Sequence, residues 1–322
     1  MALGYASLTE LTSLIMPAKD AEHSIQTAVE SVIHLSELTP VELIVINDGS
    51  QDATLSIVKD LLSNANHLKS MILANQYSIG PGLSRNQALN RVSGDTIGFL
   101  DADDRLLAEP YAELLDTFRS QQFDMAIFDD LNGVYDRERS PGLLEIKSKF
   151  KLLRNLEIDG SVIYSMFDKN FIENSDIKFG RYYFEDIQFQ YGALAKTENI
   201  MLSNQGCYIK SKTEGSILNS FSERHIYGVI EVFNWMANVL KTLEPDLTNN
   251  STFLSDVAYG ARGLLYQVIT QGTDTDTMIP ASRLKEIIRA GLDKQTICTA
   301  FTDSKKDRYL KKLMALIDYE IV

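Results

Sequence analysis

Hydrophobic positions along the first 130 residues alternate between two patterns. The run Leu11-Thr12-Ser13-Leu14-Ile15-Met16 predicts a buried strand, ended by Pro17, whose nitrogen cannot donate to a ladder. A helical period follows. Ile25, Ala28, Val29, Val32 and Ile33 predict a helix from about residue 21 to 35 with one face on a sheet. Val41 to Ile46 predicts a second strand, closed by Asn47-Asp48-Gly49-Ser50, and Asp52 is placed to cap a helix carrying Leu55, Val58, Leu61 and Leu62. The pattern then repeats. A strand is predicted at Ser70 to Ala74, a break at Gly80-Pro81-Gly82, a helix to about Val92, and a strand at Thr96 to Leu100. A helix near Pro110 to Arg119 and a strand at Met125 to Phe128 complete the series. Such alternation predicts an α/β fold with a mostly parallel, doubly wound sheet covered on both faces, and ligands at the carboxyl ends of its strands. Asp48 and Asp101 both fall at such ends.

After about Phe221 the pattern becomes helical throughout, which predicts a C-terminal all-α region. Ile226, Val229, Ile230, Phe233, Ala237 and Leu240 form one stripe; Leu254, Val257, Ala261, Leu264, Leu265 and Val268 form another. Two further helices are expected around 284–292 and 305–317. The division expected is therefore a sheet domain over residues 1–220 and a helical region over 221–322. Trp235 and the stripes read as core or as an interface in a homo-oligomer. The last helix opposes Leu310, Leu313, Met314 and Ile317 to Lys305, Lys306, Arg308, Lys311 and Lys312. That face reads as a solvated basic surface or as a peripheral membrane contact.

Composition narrows the classes. A formal net charge of -13 over 322 residues argues against nucleic acid as partner, because phosphates need Lys and Arg to neutralise them. Cys207 and Cys298 are far apart and form no metal-ligand spacing. The N-terminus lacks a basic and long apolar leader, and no apolar run approaches the roughly 20 residues of a membrane helix. A cytoplasmic location is expected.

The chemistry concentrates at Phe99-Leu100-Asp101-Ala102-Asp103-Asp104. Carboxylates directly after an apolar strand call for a cation, because uncompensated charge is costly beside a core. A hard divalent metal that also holds phosphate suits alternate aspartates. A solvated acidic turn is the simpler reading of this stretch alone.

The ordered pieces, a strand ending in proline, Asn47-Asp48-Gly49-Ser50, Gly82-Leu83-Ser84-Arg85-Asn86 and Phe99 to Asp104, resemble family 2 glycosyltransferases of the A-type (Rossmann-like) fold, of the bacterial surface-polysaccharide kind. The resemblance implies that Asp101 and Asp103 bind Mn²⁺ or Mg²⁺, with Asp101 also contacting the donor, and that the metal acts as Lewis acid on the departing phosphate. It implies that Pro17, Ala18, Asp20 and Asp48 line the nucleobase pocket, although Asn47 stands where most relatives have a second acid. Asp48 before Gly49 is also an ordinary turn residue. Arg85 is expected near the acidic residues and the donor phosphate, against the plainer reading of a surface helix arginine.

Further along, Phe179-Gly180-Arg181-Tyr182-Tyr183-Phe184-Glu185-Asp186 resembles the acceptor half of the same family. Asp186 would be the catalytic base and Glu185 its support; a helix opening on two carboxylates is the alternative, and both can hold together. Lys210 and Lys212 match a basic segment that closes over the diphosphate, with Lys where many relatives carry Arg. The function implied is inverting transfer of a sugar from a nucleotide donor, UDP-linked by expectation, to a glycan or lipid-linked acceptor. The other classes left open are a sugar-phosphate nucleotidyltransferase, which would want a glycine-rich phosphate loop after the first strand, and a non-catalytic nucleotide-sugar or glycan-binding protein.

Overall fold

The computed structural model describes residues 10–130, 142–143, 160–211, 222–243 and 279–291. The predicted alternation is present: β1 (Thr12–Ala18), α1 (Ile25–Ser36), β2 (Val41–Asp48), α2 (Thr54–Asn64), β3 (Lys69–Asn75), α3 (Pro81–Leu89) and β4 (Thr96–Phe99) follow in order. Next come β5 (Arg105–Leu106), α4 (Ala108–Ser120), β6 (Met125–Asp130), β7 (Gly142–Leu143), a 3-10 turn (Val162–Tyr164), β8 (Ser165–Asp168), α5 (Lys169–Ser175), α6 (Glu185–Lys196) and β9 (Ile200–Ile209). Two helices, α7 (Glu223–Leu243) and α8 (Ala281–Gly291), end the described chain.

The strands form one sheet in the order β3-β2-β1-β4-β8-β6-β9-β5, with β7 also on β9. From β3 to β4 the pairing is parallel, in the register Ile15↔Phe99, Ala18↔Asn47 and Asp48↔Asn75. β8 enters antiparallel between β4 and β6, while β6 and β9 run parallel. β1 and β2 are buried almost throughout, as strands covered on both faces must be. Their cover includes α1, which buries Ile25, Ala28, Val29, Val32 and Leu35.

Pro17 lies inside β1 and does not end it. Leu100 donates to the Ile15 carbonyl, so Pro17, two residues on, faces the same side, where β4 has already finished. The ladder to β2 continues through Pro17↔Ile46. The missing N–H therefore costs nothing and helps to open the sheet at this end. Asp52 also differs from a simple N-cap. Ala53 occupies the cap position of α2, while Asp52 Oδ1 accepts from the Thr54 N–H and hydroxyl.

At the opposite end of the strands, buried Glu42 accepts from Ser13 Oγ (2.7 Å), Ser93 N (3.0 Å) and Ser93 Oγ (2.8 Å), and pairs with Lys69. A buried carboxylate is tolerable when it is satisfied in this way.

The chain groups into two compact units, and the grouping is not a single cut near residue 220. Among the described residues, the first unit holds 10–130, 142–143, 161–178 and 196–211; the second holds 160, 179–195, 222–243 and 279–291. In the second unit α7 and α8 meet through buried Ile226, Val229, Ile230, Leu284, Ile287 and Ile288, with Arg283 Nε bonded to Glu223 at 2.9 Å. The second apolar stripe, Leu254 to Val268, and the basic helix of 305–317 lie outside the described residues. No helix among the described residues is long and apolar enough to cross a membrane.

Candidate active site

Parallel register brings the ends of β1, β2 and β4 out along one edge, so Pro17-Ala18, Asn47-Asp48 and Leu100-Asp101 emerge together. The acidic turn follows β4 directly, where burial of Phe99 and Leu100 fixes the point at which the chain leaves the core. Carboxylate atoms of Asp101, Asp103 and Asp104 all lie within 4.8 Å of one another.

Arg85 reaches this turn from α3. Gly80, at φ 97°, makes the sharp entry, and Pro81 starts the helix with its fixed φ and no N–H to satisfy. Arg85 is 3% exposed and its Nη2 donates to Asp101 Oδ1 at 2.8 Å. The plainer reading of a surface arginine is thereby overturned.

Asp104 faces inward. Its Oδ2 accepts from Tyr208 Oη at 2.7 Å and its Oδ1 from Ser211 N at 2.7 Å. Burial pushes its carboxyl up to about 6, and the charges of Asp101 and Asp103 add to that, against the Ser211 and Tyr208 bonds. Asp101 and Asp103, the partly exposed members of this cluster, offer hard oxygen donors of the kind a divalent cation takes, so they fit the metal that the sequence implies.

Asp48 is 3% exposed, and its carboxylate accepts four bonds from its own surroundings. Asn75 Nδ2 and Ile79 N donate to Oδ1 at 2.9 Å each; Ser78 Oγ and Gly80 N donate to Oδ2 at 2.8 and 2.9 Å. Burial alone would raise its pKa, but these bonds outweigh it and hold the group below the ordinary carboxylate value. Four bonds fill the acceptor sites of a carboxylate. The structural duty of Asp48 is to fix the loop that starts α3, and a nucleobase contact through it would displace one of these donors. Its neighbour Asn47 is buried with an Oδ1 that has no partner among the described residues, a feature the sequence did not signal.

Asp20 sits in the left-handed region at φ 47° and belongs to a clasp between two loops. Its N–H donates to Ser50 Oγ at 3.1 Å and its Oδ1 accepts from Gln51 N at 2.8 Å. Alongside, Glu22 N donates to Asp52 Oδ2 and Ala53 N to Glu22 Oε2. These crossed bonds set the loop after β1, with Pro17 and Ala18 at its root, against the loop after β2.

Glu185 and Asp186 belong to the second unit and open α6, as the helix-dipole reading expects. Glu185 is buried and Asp186 partly exposed. Phe184 precedes them at φ 67°, and Tyr183 packs on His225 of α7 at 4.4 Å between centroids. The loop and α7 approach so closely that a Cβ on Gly228 would collide with the Tyr183 carbonyl oxygen. Lys210 is exposed just beyond β9, and Lys212 lies outside the described residues.

Comparison with known proteins supplies a frame for this geometry. Residues 13–170 match the model of Glycosyl transferase family 2. Over 124 residues the chain is 32% identical to Uncharacterized glycosyltransferase YibD of Escherichia coli K12, covering 38% of this chain and 33% of that protein. It is 37% identical over 98 residues to the E. coli enzyme WfgD, a UDP-Glc:alpha-D-GlcNAc-diphosphoundecaprenol beta-1,3-glucosyltransferase, covering 30% of this chain and 37% of that one. The matches thus span about a third of the length of these relatives. In three dimensions the chain is similar to S. aureus TarS 1-349 in complex with UDP-GlcNAc, at a TM-score of 0.63 and 19% identity, covering 89% of this chain and 83% of the other. At that identity the likeness is one of fold.

Proposed function

We propose, on the premise that this chain belongs to glycosyl transferase family 2 through residues 13–170, that it transfers a sugar from a UDP-linked donor to a hydroxyl of a glycan or lipid-linked acceptor. The observation that carries this reading is the acidic turn at the end of β4 with buried Arg85 bonded to Asp101. Its support comes from relatives of the same family, one of which is named for a UDP-glucose donor and a diphosphoundecaprenol-linked acceptor.

Asp101 and Asp103 would hold a divalent ion, Mn²⁺ or Mg²⁺, which when bound supplies positive charge to a departing diphosphate. Arg85 orients Asp101 and adds a fixed cation beside it, and Lys210 and Lys212 bring further positive charge after β9. Asp20 holds the loop that carries Pro17 and Ala18 along the base and ribose. Asp48 acts through the 78–80 loop. In the acceptor half, Asp186 takes the proton from the attacking hydroxyl, with Glu185 supporting it. The acceptor oxygen forms the new bond to the anomeric carbon as the bond to the nucleoside diphosphate breaks, so the configuration inverts.

The test is release of UDP from UDP-glucose and UDP-GlcNAc with Mn²⁺ present, in the wild type and in Asp101→Asn and Asp186→Asn. The reading expects metal-dependent release that both substitutions reduce by about a hundredfold or more. No release and no thermal stabilisation by any nucleotide sugar would overturn it.

A further inference from the structure

Tyr208 lies near the end of β9, fully buried, with its ring edge-on to Tyr164 at 5.4 Å between centroids. Its hydroxyl stands between two points of the acidic turn. It accepts the Asp101 N–H at 3.2 Å and donates to Asp104 Oδ2 at 2.7 Å. The second oxygen of Asp104 accepts the Ser211 N–H at 2.7 Å. One continuous chain of hydrogen bonds therefore runs from the first residue of the turn, through two buried side chains, to the backbone that leaves β9. Just beyond the turn the two segments are tied again, by pairing of Arg105–Leu106 with Tyr208–Ile209 and by the bond from Leu107 N to Cys207 O.

The three acids consequently divide. Asp101 and Asp103 are partly exposed, whereas Asp104 is 2% exposed with both oxygens turned to β9 and the segment after it. We propose that Tyr208 and Asp104 are positioning residues, a latch that holds Asp101 and Asp103 in their cation-accepting arrangement and ties that arrangement to the segment bearing Lys210. Asp104 is then no ligand to the ion. This inference rests on the reading of Asp101 and Asp103 as the cation site. It goes further by giving the turn a rigid backing, so that the backbone of Asp101 cannot swing without breaking the phenol bond. A preorganised pair of carboxylates binds a cation more tightly than a mobile pair, and loss of such backing ordinarily weakens metal affinity by about 10- to 100-fold.

The experiment is titration of the full chain with Mn²⁺ at saturating UDP, following free Mn²⁺ by its electron spin resonance signal, with the thermal midpoint of each variant recorded in parallel. Tyr208→Phe keeps the ring in its seat against Tyr164 and deletes only the hydroxyl. It should weaken Mn²⁺ binding about tenfold. Asp104→Asn keeps an oxygen for Ser211 N and presents an amide to the phenol, which can turn to accept it. Its Mn²⁺ affinity should fall less than that of Asp101→Asn, which should lose binding. If the wild type takes up no Mn²⁺, or Asp101→Asn binds like the wild type, the cation-site reading fails and the latch with it. If those two behave as expected while Tyr208→Phe lowers the midpoint and leaves Mn²⁺ affinity unchanged, the latch alone is wrong and Tyr208 is only structural. Loss of binding in Asp104→Asn as complete as in Asp101→Asn would make Asp104 a ligand and also overturn the proposal.

Discussion

Replacing Asp48 by Asn separates two roles that a strand-end carboxylate can have. In the wild type, Ile79 N–H points at Oδ1 and Gly80 N–H at Oδ2, each at 2.9 Å. An asparagine has one oxygen, so either orientation of its amide places an NH₂ group against a backbone donor. One peptide N–H is orphaned and the surviving bonds fall from charge-assisted to neutral. An orphaned buried donor costs about 1–3 kcal/mol, and the weakened bonds add to it, so the expected loss is roughly 3 kcal/mol. The loss should be local in origin, because the donors at 78–80 lead into α3 and hence to Arg85. Urea denaturation should show the loss, and hydrogen exchange should quicken at the amides of Ile79 and Gly80 before it does in β1 and β2. A stability change under about 0.5 kcal/mol, together with weaker UDP binding, would refute this reasoning and return Asp48 to the nucleobase.

Two further outcomes follow from groups outside the site. Tyr111 is 1% exposed, its ring packs on Phe128 at 5.9 Å, and its hydroxyl is buried without a partner among the described residues, so Tyr111→Phe should raise stability by about 1 kcal/mol; a lower thermal midpoint would contradict this. For Glu42, burial favours the neutral acid, but bonds from Ser13, Ser93 and Lys69 outweigh it and hold the pKa below the ordinary value. Its stabilising contribution is therefore present above the unfolded pKa and is lost as pH falls through the folded one, so stability should drop as the pH is taken below the ordinary glutamate value of 4.5, and Glu42→Gln should flatten that drop in urea melts taken across the range.

Much of the first 130 residues was legible because its signals are local. β1 and β2 carry apolar runs, the second closed by Asp48-Gly49, and α1 repeats its apolar positions at 3.6, so each segment states its own element even though Pro17 does not mark the end of β1. The strand ends then place Asp101 and Asp103 without further information. The strand Ile200–Ile209 was not legible, because Ser203, Asn204 and Gln205 interrupt its apolar run; it pairs with β6, whose residues lie some 75 positions earlier in the chain. β8 was missed for a related reason: only four residues long, it is held by β4 and β6 on its two sides.

The candidate site divides in the same way. The sequence by itself determined that carboxylates end β4, since they follow a short apolar run, and it offered a helix opening on Glu185-Asp186 as one reading, which α6 bears out. Which way each carboxylate faces was decided only by tertiary structure. Asp48 turns to donors 27 to 32 residues away, Asp104 to donors 104 and 107 residues away, and Asp101 to Arg85. A carboxylate has no directional preference of its own strong enough to predict this. It takes the donors that the packed chain brings within reach, and those exist only once the sheet has set its register.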